Sequence, residues 1–134
     1  MISPADLIVY ARNQQTPLAK EVALRSGISR AYYGAYHYCL VVANRWCDEI
    51  PLEKIKKFTK PMGMHIRLYI RMEEYCRDSS VSGSVRFMAQ RAKTLHSERV
   101  TADYSLDENV GSKQITTALY IATEIQAEYN KLVS

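Results

Sequence analysis

Apolar residues recur at three- and four-residue steps along most of the chain, and no segment alternates at the two-residue period of a strand. Ser3-Pro4 is an N-cap residue followed by one preset for the first helical turn, and Leu7, Ile8, Tyr10 and Ala11 continue the pattern, so a short helix is predicted to about Gln14. After Thr16-Pro17 the pattern resumes near Leu18. It then holds through Val22, Leu24, Ile28, Tyr32, Ala35, Tyr36, Cys39, Leu40, Val42 and Ala43 to Trp46, which predicts one long helix. Gly27 and Gly34 lower its intrinsic propensity without breaking its period, which points to close helix packing at both. Residues 49–63 hold Lys54, Lys56, Lys57 and Lys60 with Pro51 and Pro61, and read as a basic connector with room for a short helix. His65 to Cys76 is periodic again, Ser79 to Ser84 is loop chemistry, a fourth helix should run from about Ser84 through His96, and a last one from about Asp107 to Leu132. The sum is an all-α, antiparallel four- to five-helix bundle in which residues 1–134 form a single domain.

A chain of 134 residues can bury one real core without staples. Its net charge of +4 and pI near 9.0 suit a phosphate-rich partner. Cys39, Cys47 and Cys76 are odd in number and show no paired CxxC spacing, so neither a disulfide framework nor a zinc site is expected. The first residues lack a basic stretch followed by an apolar core, and no window nears about 18 uninterrupted apolar residues, so secretion and membrane association are not expected and a reducing cytoplasm fits best. The absence of a P-loop, a dinucleotide-binding glycine pattern, a paired metal-ligand motif or a nucleophile elbow leaves most other enzyme classes without support.

The chemistry lies in two polar clusters. Arg30 and His37, seven residues apart in the apolar and aromatic run from Ser29 to Tyr38, fall two turns apart on one helical face. Arginine matches phosphate oxygens with a planar charged fork, and histidine titrates near neutrality, so the pair has what metal-free phosphodiester chemistry needs. The same residues also fit a hydrogen-bonded core histidine and an ordinary ion-pair arginine. The second cluster spans Arg91, His96, Arg99, Asp103 and Tyr104. Arg99 and Asp103 are four apart and can pair on one turn, whereas Arg91 and His96, five apart, face about 140° away from each other. A solvated helix end with one intrahelical ion pair, or a scaffold in which Arg30 and Asp103 tie two helices together, accounts for the same residues.

Taken together, the two segments resemble the HEPN family of helical bundles. Ser29-Arg30-Ala31-Tyr32-Tyr33-Gly34-Ala35-Tyr36-His37 is similar to the signature on the family's long early helix, and Arg99-Val100-Thr101-Ala102-Asp103-Tyr104 to its later Arg-x-x-Ala-Asp-Tyr element. His65 stands where members often begin a central helix with histidine. The resemblance implies a helical bundle, frequent homodimers, RNA or a nucleotide as ligand, and an antitoxin or nucleotidyltransferase as partner. It also implies metal-independent endoribonuclease activity in toxin, antiphage or RNA-processing settings, with no cofactor. On that reading Arg30, His37, Arg99 and Asp103 form the catalytic set, and Tyr33, Tyr104, Arg91 and His96 contact nucleic acid. The late element carries Asp103, where catalytic members place a histidine after the arginine. A non-catalytic nucleotide- or RNA-binding module, or a partner of a nucleotidyltransferase, is the alternative.

Overall fold

The computed structural model describes residues 1–16, 20–57 and 63–134. Among them lie six helices: α1 (Pro4–Asn13), α2 (Glu21–Trp46), α3 (Leu52–Ile55), α4 (Met64–Glu74), α5 (Ser82–Tyr104) and α6 (Ser112–Val133). Ser3 caps α1 through a reciprocal pair of hydrogen bonds with Asp6. The connector contributes the single turn α3. Pro17 and Leu18, where the second helix was expected to begin, and Lys60 and Pro61 of the connector lie outside the described residues.

Helix α2 is the spine of an all-α bundle and packs on α1, α4, α5 and α6. Gly27 abuts Ile115, and Tyr38 meets Gln126 and Tyr129, so α2 and α6 advance in the same sense. Arg25 reaches Ala102 while Cys39 lies against Met88, so α5 runs the opposite way. His65 stacks on Tyr36 and Arg71 reaches the carbonyls of Ala43 and Cys47, which aligns α4 with α2. Chain neighbours across the short loops are therefore antiparallel, and α4 starts level with Tyr36, well before the end of α2.

This central position explains the burial of α2. Tyr32, Ala35, Cys39 and Val42 reach the core along with Ala31, Tyr36, Tyr38 and Ala43, and each large apolar side chain so enclosed contributes roughly 1.5–3 kcal/mol. The tyrosine-rich face of the long helix is inside the bundle: Tyr32, Tyr36 and Tyr38 are buried, as is Tyr69 of α4. Two glycines let α1 approach. A Cβ on Gly34 would stand 2.9 Å from the backbone oxygen of Pro4, and one on Gly27 would stand 2.6 Å from Cδ1 of Ile115. The first obstacle is backbone and the second is the end of a rotatable side chain. Gly34→Ala should therefore destabilise by about 1–3 kcal/mol, because α1 must move away. Gly27→Ala should change stability by less than about 1 kcal/mol, since better helix propensity offsets the rotation of Ile115. Urea midpoints of the two variants test this ordering.

Two arginines seal helix ends. The guanidinium of Arg25 donates to the carbonyls of Thr101 (3.1 Å), Ala102 (2.9 Å) and Ser105 (3.2 Å) and to that of Glu108, closing the C-terminus of α5. Glu21 pairs with Arg25 at 3.2 Å and accepts the Val110 N–H at 2.7 Å, which pins the α5–α6 loop onto the start of α2. Arg71 does the same at the C-terminus of α2, donating to Ala43 (3.2 Å), Cys47 (3.1 Å) and Asp48 (3.1 Å) carbonyls. Beyond that end, the Asp48 N–H donates to the Tyr75 carbonyl at 2.8 Å and the Arg77 N–H to the Trp46 carbonyl at 2.9 Å. Cys47 and Cys76 face each other between them as an isolated antiparallel bridge.

The fourth long helix differs from expectation. It continues past His96 to Tyr104, and the last helix starts at Ser112 rather than near Asp107. Leu95 and Ala102 keep one side of α5 in the core, so the polar run after His96 belongs to a helix that goes on.

Candidate functional site

Between Leu24 and Ala43 only Arg30, His37 and Val41 are exposed. At offsets of seven and eleven residues they lie within about 40° of one another, so α2, enclosed elsewhere, has one open strip. Arg30 and His37 occupy it. Neither makes a hydrogen bond or ion pair among the described residues; His37 touches the edge of Tyr36, with ring centres 5.3 Å apart. His37 is thus not a core histidine, and Arg30 is not an ion-pair arginine.

Beside the strip the two sequence clusters interlock. Arg99 Nε lies 2.8 Å from Asp103 Oδ2, off the line of a hydrogen bond, and Arg99 Nη2 donates to the Tyr33 hydroxyl at 2.8 Å. Asp103 accepts from the Ser29 hydroxyl at 3.3 Å. The guanidinium carbon sits 5.2 Å from the centre of the Tyr33 ring and 5.4 Å from that of Tyr104, within cation–π range. Arg99 thereby becomes a half-sheltered cation with donors to spare, since only one of its five N–H groups is committed to a well-formed hydrogen bond.

Two further histidines complete the cluster. His65, in the first turn of α4, stacks on Tyr36 at 4.3 Å, and its Nδ1 shares a proton with the Tyr32 hydroxyl at 2.7 Å. Tyr32 is bonded in turn to the Tyr69 hydroxyl at 2.6 Å, and burial drives the phenols of both tyrosines upward in pKa, so both stay protonated. His96 of α5 packs edge-on to Tyr32 and lies 5.8 Å from His65.

Burial, and then the nearby charges of His96, Arg99 and His37, hold His65 below the ordinary imidazole range. Burial and Arg99 do the same to His96. Around Arg99, burial opposes its charge, but Tyr33, Asp103 and Tyr104 outweigh that and raise its pKa. A histidine whose pKa is lower when folded binds its proton less readily in the native state, so acid favours the unfolded chain. The contribution of both is whole above about pH 6.5 and is lost as pH falls from there toward the lowered folded values. Melting temperature should accordingly drop between pH 7.5 and 5, and the double variant His65→Gln/His96→Gln should flatten that slope. An unchanged slope would mean that the two imidazoles are free to charge in place.

Comparison with family models, with curated proteins and with solved structures returns no match. The site is therefore read from its own geometry. Of the residues singled out in the sequence, Tyr33, His96, Arg99, Asp103 and Tyr104 come together, and Arg30 and His37 occupy the neighbouring strip. Arg91 does not join them: it pairs with Glu124 of α6, on the other side of α5, because five residues turn it away from His96. The tie between Arg30 and Asp103 is not formed, as Asp103 is taken by Arg99 and Ser29. The structure gives partners to Ser29, Tyr32, Tyr36 and His65, which the sequence marks only through periodicity or the resemblance, and it adds Tyr69. In the sequence His65 is marked only by its place at the start of a helix, and its position opposite Tyr32 and Tyr36 gives it partners.

Proposed function

We propose that this protein is a HEPN-like RNA-targeting protein that cleaves single-stranded RNA without a metal ion, in a toxin, antiphage or RNA-processing setting. One observation carries the reading: the early and late polar motifs are bonded to each other, Ser29 to Asp103 and Tyr33 to Arg99, beside an open strip that presents Arg30 and His37. The reaction would be attack of the substrate's own 2′-hydroxyl on the adjacent phosphorus, expelling the 5′-oxygen and leaving a cyclic phosphate. Arg99, held by Asp103 and Tyr33, and Arg30 stabilise the charge that builds on the phosphoryl oxygens. His37, exposed and unpaired within the described residues, moves the proton. Tyr104, two-thirds exposed, offers a face on which a base can stack.

The test is incubation of the purified protein with a labelled single-stranded RNA pool in EDTA, with the ends of the products mapped. Wild type should yield cyclic-phosphate ends, and His37→Ala should lose at least 100-fold in rate at an unchanged melting temperature, the scale of a lost general acid or base. The Asp-Tyr form of the late element favours one other reading, a binding module. Retention of RNA without cleavage by concentrated, folded wild type would select it.

A further inference from the structure

The bridge between the ends of α2 and α4 goes beyond this reading. Its flanking hydrogen bonds, Asp48 to Tyr75 and Arg77 to Trp46, make Cys47 and Cys76 a non-hydrogen-bonded antiparallel pair. In such a pair the Cα atoms stand about 4.5 Å apart and the side chains project to the same side. That separation lies inside the roughly 4.4–6.8 Å span that a disulfide bridges without moving the backbone. Both cysteines are free thiols, Cys47 buried and Cys76 half-buried, its Sγ donating to the Asp78 carbonyl at 3.4 Å. Burial, with Cys76 alongside, pushes the Cys47 thiol up to about 11, while Arg71 and Arg77 pull the other way. The third cysteine, Cys39, is enclosed in the core, where burial drives its pKa upward and keeps it an inert thiol.

We propose that Cys47 and Cys76 are a thiol–disulfide exchange site, closed into an intramolecular disulfide by a small-molecule disulfide of the glutathione class. Cys76, the accessible partner, loses its proton to solvent and attacks one sulfur of the small disulfide, forming a mixed disulfide and releasing one thiol. Cys47 then gives up its proton and attacks the Cys76 sulfur, expelling the second thiol. Two cysteine thiols are oxidised to one disulfide, and one small disulfide is reduced to two thiols. The new bond fastens the end of α2 to the residues that follow α4.

The full-length protein is equilibrated in mixtures of reduced and oxidised glutathione, quenched with acid, alkylated and mapped by mass spectrometry. The expected result is a monomer that loses two alkylatable thiols, with Cys47 and Cys76 in one linked peptide and Cys39 still alkylated after denaturation. The oxidised form should melt several degrees higher than the reduced form, because the cross-link restricts the unfolded chain. Cys76→Ala, at a half-buried position, should abolish the linked peptide, whereas Cys39→Ala should leave it in place. Three results overturn the proposal: no loss of thiols in excess oxidised glutathione, a persistent mixed disulfide on Cys76 with Cys47 free, or linkage only between chains.

Discussion

Replacing Arg25 with methionine is expected to cost about 3–4 kcal/mol of stability, a large share of what a single domain possesses. Arg25 was unremarkable in the sequence, a charge inside an apolar run, yet its side chain is only 11% exposed and its guanidinium answers four carbonyls at the end of α5 and in the loop that follows. Methionine keeps the volume of the stem and removes every donor. The carbonyl of Ala102 then lacks a partner near the core, that of Thr101 keeps only the Ser105 N–H, and Glu21 keeps only the Val110 N–H. A hydrogen bond to a charged group contributes about 1.5–3 kcal/mol, and part of that returns when water reaches the exposed loop, which sets the figure below the sum of the bonds. Glu21→Gln, which retains an oxygen for Val110, should cost much less than the loss of Arg25. Urea unfolding followed by circular dichroism measures both, and a loss below 1 kcal/mol for Arg25→Met would mean that water replaces the cap.

On the proposed function, Arg99→Ala should lower the rate of RNA cleavage by about 10²–10³-fold, the loss expected when a preorganised charge is taken from a developing oxyanion. Unlike the change at His37, it should also lower the melting temperature. Arg99 is 13% exposed and links Asp103 to Tyr33, so its removal leaves the half-sheltered Asp103 with only the Ser29 hydroxyl. The pair of measurements divides two roles that activity alone would merge. Arg99→Lys keeps the charge but not the planar fork, so it should recover part of the melting temperature while cleavage stays depressed. Full activity in Arg99→Ala would remove this residue from the catalytic set and leave phosphate binding to Arg30.

Much of the architecture was legible because period and punctuation agree: Ser3-Pro4 starts α1, and the spacing of Ile28, Tyr32, Ala35, Cys39 and Val42 defines the buried side of α2. Helix ends were less legible where polar residues have tertiary partners. Arg99 and Asp103 also fitted a solvated helix end, but they lie inside α5 on the edge that meets α2, held by residues about seventy positions earlier. The pairing of Arg99 with Asp103 was readable from the four-residue step alone. The roles of His65 and His96 were not, since each depends on the Tyr32 hydroxyl or ring, and the sequence does not reveal which helix lies opposite. The same holds for Cys47 and Cys76, whose spacing carries no motif and whose meeting depends on how α4 lies against α2.

The enclosure of α2 has a consequence for how substitutions at its positions are interpreted. Along an ordinary surface helix, tolerance to replacement follows exposure on a broad outer face. Between Leu24 and Ala43 the freedom to vary without harming the fold is confined to Arg30, His37 and Val41, three positions that carry almost none of the packing. Intolerance at Tyr32 or Ala35 is ambiguous, because crowding explains it. Intolerance at Arg30 or His37 has no such explanation, so a saturation scan of this one helix would separate the residues retained for folding from those retained for chemistry, with Val41 as the internal control.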